Sequence, residues 1–361
     1  MKKFNGIVAV FLAVVLIALG AFGGYVGYHE LNELKGEVYA DPNGEMQVHF
    51  LELGNWYTGD CTYIKAGETD ILIDAGSNTD SIKTIKSYID QYVTDGKLEY
   101  VIVTHAHKDH YAGFATNENT DSLFDLYECE IIIDFAQTNQ EADANMYSNY
   151  VRERDAEIAA GATHYTAKEC IDQDKRVFAV SSGVTMTVLD QKYYHEKDKS
   201  GENNHSVCTL FTCGEERVLL TGDLEKEGEK SLIEKNELSE VTLYKAGHHG
   251  SKTSSSTELM SIVKPEIICV CCCAGSDEYR ATAENTFPTQ EFIDNVAPYT
   301  DEVYVTSIST DNETRAFASM NGNITVSINR NGFTVKCSES DIKLKDTDWF
   351  KSSRTCPDAW K

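Results

Sequence analysis

The sequence predicts an α/β fold in one domain, preceded by an apolar N-terminal helix, and three observations support this prediction. Strand-like runs alternate with amphipathic helical segments along most of the 361 residues. An apolar fraction of 41% with only five prolines is typical of a packed globular core and excludes a disordered chain. No internal repeat and no linker rich in Pro, Gly or Ser divides residues 45–337, so we expect a single domain there.

The N-terminus predicts a membrane segment. Lys2 and Lys3 precede the uncharged apolar run 7–26, and 20 helical residues rise about 30 Å, enough to span the hydrocarbon core of a bilayer. Small residues at 20–24 leave open whether the segment is a retained signal anchor or a cleaved signal peptide. Basic residues before the run and acidic ones after it place the following chain outside the cytoplasm. We expect a single-pass membrane protein, or a secreted one if the segment is cleaved.

Five segments follow from these observations. They are a short cytoplasmic N-terminus (1–6), the transmembrane anchor or signal peptide (7–28), a polar linker (29–44), the exported domain (45–337) and a C-terminal tail (338–361). The linker and the tail lack the alternation of strands and helices that marks the domain. We expect the tail to be a surface segment that is held by some apolar residues, among them Trp349 and Trp360.

Strands and helices of the domain are predicted from apolar periodicity. Alternating or continuous apolar runs predict strands, and Ile82, Ile85, Ile89 and Val93 lie at helical spacing. Asn331-Gly332 is a strong hairpin signal. In chain order we expect strands at 46–53, 61–66, 71–74, 98–103, 131–133, 177–180, 184–189, 206–213, 216–221, 241–246, 267–274, 302–307, 323–329 and 333–337, with helices at 81–94, 139–160 and 289–296.

Charge and cysteine content argue against three classes of protein: duplex nucleic-acid binders, disulfide scaffolds and metal-thiolate proteins. The formal charge of −26 argues against stable binding of duplex nucleic acid, which depends on Lys and Arg neutralising phosphates. Eleven cysteines are an odd number without the regular spacing of a disulfide scaffold. Four of them fall in the run IICVCCCA at 267–274, which we interpret as a buried strand with cysteine as a small hydrophobe rather than as a metal-thiolate site.

Five of the ten histidines lie in two short clusters, each directly after a predicted strand. The first, His105 to His110, has the pattern HxHxDH and combines three imidazoles with the carboxylate of Asp109. The second is the pair His248 and His249 in the run GHHGS. Imidazole and carboxylate together are ligands that zinc and similar divalent ions prefer. The sequence therefore predicts a metal site.

These clusters belong to a series of motifs that resembles the metallo-β-lactamase-fold superfamily. Within it, the series is similar to the hydrolase domain of the competence protein ComEC and its free-standing relatives. The resemblance implies an αββα sandwich, in which two mixed β-sheets are flanked by helices. The motifs extend over about 180 residues and occur in the order LIDAG (72–76), HxHxDH (105–110), NNHS (203–206), LTGD (220–223) and HHGS (248–251).

The resemblance also implies a dinuclear site that activates water. The ions would be zinc, with manganese or iron as alternatives. Asp109 and His249 are expected to be catalytic, and Asp74 is expected to support the ligands from behind. Ser251 and Tyr111 are expected to contact substrate. The implied metal ligands are His105, His107, Asp109, His110, His205, Asp223 and His248.

Three positions carry alternatives. His205 is either a ligand of the first metal or a loop residue, because relatives often have a polar residue such as asparagine there. His248 is favoured over its neighbour as a ligand because it lies closer to the end of its strand. Phe287 stands where relatives commonly have a histidine before a proline, so specificity or rate could differ.

The function predicted from this reading is an exported metal-dependent hydrolase that cleaves a phosphodiester. The substrate would be a nucleic-acid fragment or a phosphoester of a surface polymer. A lactam, thioester or lactone hydrolase is the first alternative, and a non-catalytic surface protein on the same scaffold is the second. Residues able to bind metal occupy all the core ligand positions, which argues against the non-catalytic alternative. The sequence sets no oligomeric state.

Overall fold

A computed structural model describes residues 45–116, 120–279, 282–329 and 331–361. Within these ranges, sixteen strands form two mixed eight-stranded sheets, with helices beside them. This arrangement confirms the predicted α/β class and the sandwich of two mixed sheets flanked by helices. The predicted membrane segment at 7–28 lies outside the described residues. Among the residues described, none of the helices is both long and apolar enough to cross a bilayer.

The first sheet has the strand order β16-β15-β1-β2-β3-β4-β5-β6. Strands β3 to β6 are parallel, and the other neighbours are antiparallel. β15 and β16 form the hairpin that Asn331-Gly332 predicts. The strands are β1 (Glu45–Phe50), β2 (Asp60–Ala66), β3 (Thr69–Gly76), β4 (Lys97–Ile102), β5 (Glu128–Asp134), β6 (Thr163–Thr166), β15 (Ile324–Asn329) and β16 (Gly332–Cys337).

The second sheet has the order β14-β13-β12-β11-β10-β9-β8-β7. Strands β10 to β13 are parallel, and the others pair antiparallel. The strands are β7 (Val177–Ser181), β8 (Val184–Leu189), β9 (Cys208–Cys213), β10 (Glu216–Leu220), β11 (Leu243–Lys245), β12 (Ile267–Ala274), β13 (Val303–Asp311) and β14 (Ala316–Ser319).

The described helices are short apart from one. They are α1 (Ser81–Ile89), α2 (Lys108–Tyr111), α3 (Leu123–Leu126), α4 (Asn145–Ala160), α5 (Ala167–Asp172), α6 (Lys226–Lys235), α7 (Thr257–Val263), α8 (Gln290–Val296) and α9 (Asp348–Ser353). The sequence analysis missed two strands, β6 and β14, and six helices, α2, α3, α5, α6, α7 and α9. These elements have four to ten residues, and none carries a long apolar period of its own.

Two apolar clusters hold the layers together. One joins the facing sides of the sheets and α1, and the other packs the outer side of the second sheet against α6 to α9. β12 contributes to both, because Cys269 and Cys271 face the first cluster while Cys272 faces the second. Burial raises the pKa of these thiols, so they are packing residues, as predicted. In the tail, Leu344, Phe350 and Trp360 are buried in the second cluster.

His49 on β1 is a fully buried imidazole in an aromatic environment. Its Nδ1 lies 2.9 Å from the Tyr88 hydroxyl and 3.1 Å from Thr325 Oγ1, and its ring packs 5.3 Å from that of Tyr63. Burial lowers the pKa of His49 from 6.5 to about 4. The folded protein therefore binds this proton less readily than the unfolded chain does, and stability falls as the pH drops below about 6.5.

This pKa shift predicts a measurable pH dependence of folding. Between pH 7.5 and pH 5, His49 should reduce the free energy of unfolding by about 2 kcal/mol. Urea unfolding at the two pH values measures the loss, and His49→Gln should remove that share of it. An equal loss in wild type and variant would contradict the assignment.

Candidate metal centre

The predicted site residues lie where the parallel strands of both sheets end. Asp74 is near the end of β3, and His105 follows β4. Asp223 follows β10, and His249 follows β11, so the second sheet supplies the other half of the site. Loops at the carboxyl ends of parallel strands are a common place for ligand sites, because side chains from several strands meet there. Motifs far apart in sequence are brought together in this way.

A cluster of four buried residues forms the centre of the site. Asp109, His110, Asp223 and His249 each offer one ligand atom, and these atoms all lie within 4.8 Å of one another. Asp223 Oδ2 lies 3.1 Å from His110 Nε2 and 3.3 Å from His249 Nε2, and Asp109 Oδ2 lies 3.2 Å from His249 Nε2. We call these four residues the ligand cluster.

His105 and His107 lie beside the ligand cluster. His105 Nε2 is 3.0 Å from His107 Nδ1 and 4.0 Å from Asp223 Oδ2. The ring of His105 is fully buried, and its Nδ1 lies 3.3 Å from the hydroxyl of Ser206. Asp223 thus stands between the two imidazoles and the rest of the ligand cluster. A carboxylate in that position can bridge two ions.

Hydrogen bonding in the site fits a divalent ion. His110 Nε2, Asp223 Oδ1 and Asn203 Oδ1 are buried and have no hydrogen-bond partner, although such atoms are normally paired. Burial would lower the pKa of His110 and His249, but Asp223, with Asp74 at His110 and Asp60 at His249, raises both. The surplus of negative charge is suited to a cation, and imidazole with carboxylate is the donor set of zinc.

Asp74 lies directly behind His110. Its Oδ2 is 2.7 Å from His110 Nδ1, and the backbone N–H and hydroxyl of Thr104 donate to its two oxygens at 2.8 and 2.7 Å. This arrangement fixes the ring of His110 and leaves Nε2 facing the ligand cluster. It is the geometry of a carboxylate that orients a metal-binding histidine.

The backbone of the HHGS loop is strained at both histidines. His248 and His249 have left-handed φ angles of 47° and 55°, which cost on the order of 1–3 kcal/mol each for residues with a Cβ atom. The loop turns the His249 ring into the ligand cluster, and its Nδ1 donates to the carbonyl of Cys271 at 2.9 Å. His248 Nδ1 instead contacts Thr253 Oγ1 at 2.9 Å, and its Nε2 is 4.0 Å from Asp223. The geometry therefore favours His249, not the expected His248, as the ligand.

The geometry also favours a loop role for His205 over the expected role as a ligand. His205 is fully buried, and its Nε2 accepts the backbone N–H of Asp198 at 3.0 Å. Its Nδ1 lies 3.4 Å from Glu202 Oε1. Both ring nitrogens are thus used to hold the loop before β9. The unpaired Oδ1 of nearby Asn203 is the better candidate to face the first metal position.

Two expected substrate contacts are buried instead. Tyr111 is 3% exposed, and its ring packs 5.5 Å from that of Tyr150. Ser251 is 2% exposed, and its hydroxyl lies 3.1 Å from that of Thr253. Their roles are to pack and to hold the loop. Phe287, where the resemblance predicts a histidine, packs against His248 and His249 with ring centroids at 5.8 and 5.9 Å.

Sequence reasoning missed a buried ion pair behind the site. Asp60 Oδ2 lies 2.5 Å from Lys245 Nζ, and Asp60 Oδ1 lies 3.2 Å from His249 Nδ1. Burial would raise the pKa of Asp60, but Lys245 and His249 lower it, so the carboxyl stays ionised. Lys245 lies three residues before the first histidine of the HHGS loop, but its partner comes from the other sheet. The only indication of the Asp60–Lys245 pair in the sequence is that Lys245 lies inside an apolar strand.

Tyr279 was also missed. Its hydroxyl donates to Asp109 Oδ2 at 3.0 Å, and its ring packs 6.1 Å from Phe287. The side chain is 44% exposed, in contrast to the buried ligand cluster. Tyr279 therefore covers Asp109 on the solvent side, in a loop whose sequence has no regular period.

The ion pair predicts strong energetic coupling. Lys245→Met or Asp60→Asn alone should lower the free energy of unfolding by about 3–5 kcal/mol, because each leaves a buried polar partner unpaired. The double variant should lose much less than the sum of the two. Urea unfolding in chelator measures this cycle. The exposed pair Lys86 and Asp90 is the matched control, with coupling of about 0.5 kcal/mol, and additive losses at the buried pair would contradict the prediction.

The family comparison agrees with these motifs. Residues 54–116 match the model described as Metallo-beta-lactamase superfamily, and they include Asp60, Asp74 and the HxHxDH run. A metallo-beta-lactamase fold protein of known structure, YhfI from Bacillus subtilis, aligns with 73% of this chain and 96% of its own at 13% identity and a TM-score of 0.43.

Three curated proteins are similar to parts of the chain. Recombination protein 2 of Haemophilus influenzae is 40% identical over 73 residues, 20% of this chain and 9% of that protein. ComE operon protein 3 of Bacillus subtilis is 31% identical over 91 residues, 24% and 12% of the two chains. Competence protein ComA of Neisseria gonorrhoeae is 39% identical over 74 residues, 20% and 10%. The matches thus span about a tenth of each relative. They confirm the predicted resemblance to the metallo-β-lactamase superfamily and, within it, to ComEC-type competence proteins.

Proposed function

We propose that this chain is a metal-dependent phosphodiesterase. The observation that carries the proposal is the ligand cluster, where two carboxylates and two imidazoles converge in a buried site with His105 and His107 beside it. Two cations in one site suit a substrate that is itself anionic, because they can neutralise its charge. A phosphodiester meets that requirement better than a neutral lactam, thioester or lactone.

The site residues divide into two sets that share one carboxylate. His105 and His107 would hold a first ion with Asp223, while Asp109, His110 and His249 would hold a second ion with the same Asp223. Two bound divalent ions supply a water of lowered pKa and neutralise the phosphoryl oxygens. Zinc fits this donor set, and manganese or iron would fit it as well.

Residues around the ligand cluster keep it in place. Asp74 fixes the ring of His110 from behind. At His249, the carbonyl of Cys271 accepts from Nδ1 and Asp60 lies beside it. Tyr279 covers Asp109 on the solvent side, where its hydroxyl could also donate to an oxygen of the substrate. Packing of Phe287 against both histidines of the HHGS loop excludes water from that side.

Charge and export limit the substrates proposed. A formal charge of −26 disfavours long duplex nucleic acid, so the proposed substrates are a nucleic-acid fragment or a phosphoester of a surface polymer. Export rests on the apolar run 7–26 alone. With that anchor, the catalytic domain would face a substrate outside the cytoplasm.

Metal content together with turnover tests the proposal. The purified chain should bind about two divalent ions and hydrolyse bis(p-nitrophenyl) phosphate. Asp74→Asn should lower turnover or metal affinity about 10–100-fold, since it removes the partner that orients His110. Asp109→Ala and His110→Ala should lose more, and His195→Ala, outside the site, is the control. Bound metal without turnover would contradict phosphodiester cleavage, and nitrocefin hydrolysis would indicate the lactam alternative.

The two histidines of the HHGS loop give a sharper test of the ligand assignment. His249→Ala should reduce bound metal by about one ion per chain, because it removes a ligand of the second position. His248→Ala, one residue away, should retain both ions. Metal analysis after dialysis separates the two variants. Loss of an ion in His248→Ala but not in His249→Ala would contradict this assignment and would support His248 as the ligand, as the sequence analysis expects.

A further inference from the structure

A pair of cations lies beside the site. Lys108 stands between His107 and Asp109 in the HxHxDH run, and its side chain is exposed. Its Nζ lies 5.8 Å from the centroid of the Tyr57 ring. The guanidinium of Arg315, in the turn between β13 and β14, lies 5.3 Å from the centroid of the same ring. We call Tyr57, Lys108 and Arg315 the cationic rim.

The rim adjoins the ligand cluster through three connections. Lys108 is covalently next to two predicted ligands, so its Cα lies about 3.8 Å from each of theirs. The backbone N–H of Thr58, after Tyr57, donates to Glu278 Oε2 at 2.8 Å. Glu278 in turn precedes Tyr279, whose hydroxyl contacts Asp109. These connections place the rim beside the ligand cluster.

Lys108 and Arg315 belong to the described lysines and arginines that form no ion pair, which are about half of the total. Others, such as Lys226, Lys264 and Arg154, have a carboxylate oxygen within 2.9 Å. In the part of the chain that the structure describes, neither Lys108 nor Arg315 has a carboxylate oxygen within the 4.0 Å of an ion pair. A chain with 58 acidic residues could readily supply one. Burial raises the pKa of the nearby Glu278 carboxyl to about 7, and Lys108 acts to lower it. Two cations held against one ring with no carboxylate at ion-pair distance can contact an anion from outside.

The aromatic rings orient these cations. Arg315 lies over the rings of Trp56 and Tyr57, at 5.8 and 5.3 Å from their centroids, and its Nη1 also contacts the Tyr57 hydroxyl. Stacking of this kind restricts the guanidinium plane while its remaining N–H groups stay free to donate. A planar, oriented guanidinium beside a lysine is well suited to bind a phosphate.

We propose that the cationic rim binds a second phosphate of the substrate, so that the natural substrate carries another phosphate next to the bond that is cleaved. This inference rests on the proposed phosphodiesterase function. It reconciles the overall acidity of the chain with an anionic substrate, because two cations lie beside the ligand cluster. A nucleotide chain and a polyol-phosphate polymer share this chemistry.

A pair of probes that differ by one phosphate tests the inference. The probes are thymidine 5′-(p-nitrophenyl phosphate) with and without a 3′-phosphate, and the full-length chain should prefer the bisphosphorylated probe about tenfold in kcat/KM. Lys108→Gln and Arg315→Gln should each reduce that ratio towards one, and Lys108→Arg should retain it. Lys83→Gln, an exposed lysine on α1, is the control. A wild-type ratio near one, or a ratio that the rim variants leave unchanged, would overturn the inference.

Two further arms separate this outcome from others. Calorimetric binding of thymidine 3′,5′-bisphosphate against thymidine 5′-phosphate makes the same comparison without turnover, so a failure of hydrolysis does not obscure the result. Equal binding of the two nucleotides by wild type would also overturn the inference. The p-nitrophenyl esters of glycerol phosphate, with and without a second phosphate, show which of the two polymer sources is preferred.

Discussion

The surplus of buried negative charge between the two sheets is the constraint on which the site depends. Asp60, Asp74, Asp109 and Asp223 are all nearly inaccessible to solvent, and burial of ionised carboxylates is costly unless cations or donors compensate them. Lys245 compensates Asp60, and Thr104 with His110 compensates Asp74. Asp109 and Asp223 face the centre of the ligand cluster. Because burial of these carboxylates is costly, a bound cation there would stabilise them.

The strained HHGS backbone is a consequence of this arrangement. Left-handed φ angles at His248 and His249 persist only where surrounding contacts determine them. The bond from His249 Nδ1 to the Cys271 carbonyl and the contact with Asp60 provide those contacts. The Asp60–Lys245 ion pair and the backbone of β12 thus hold the ring of His249 in the ligand cluster.

Much of the fold could be predicted because its signals are local. The strands near 60–76 and 97–102 and the cysteine strand 267–274 carry clear apolar patterns, and the histidine motifs directly follow strands. Short elements such as β14 and α9 were missed, since their burial depends on partners distant in sequence. For the same reason the sequence did not reveal the surroundings of His205 and Tyr111, which contact Asp198 and Tyr150. Asp60 and Lys245 belong to different sheets, so no pattern along the chain links them.

Anomalous diffraction at the zinc edge tests the central claim most directly. Crystals grown with zinc should give a peak among Asp109, His110, Asp223 and His249 and a second beside His105 and His107, with Asp223 adjacent to both. Peaks at His205 or His248 instead, or no peak at the ligand cluster with zinc present in excess, would contradict the account of this site as a metal centre.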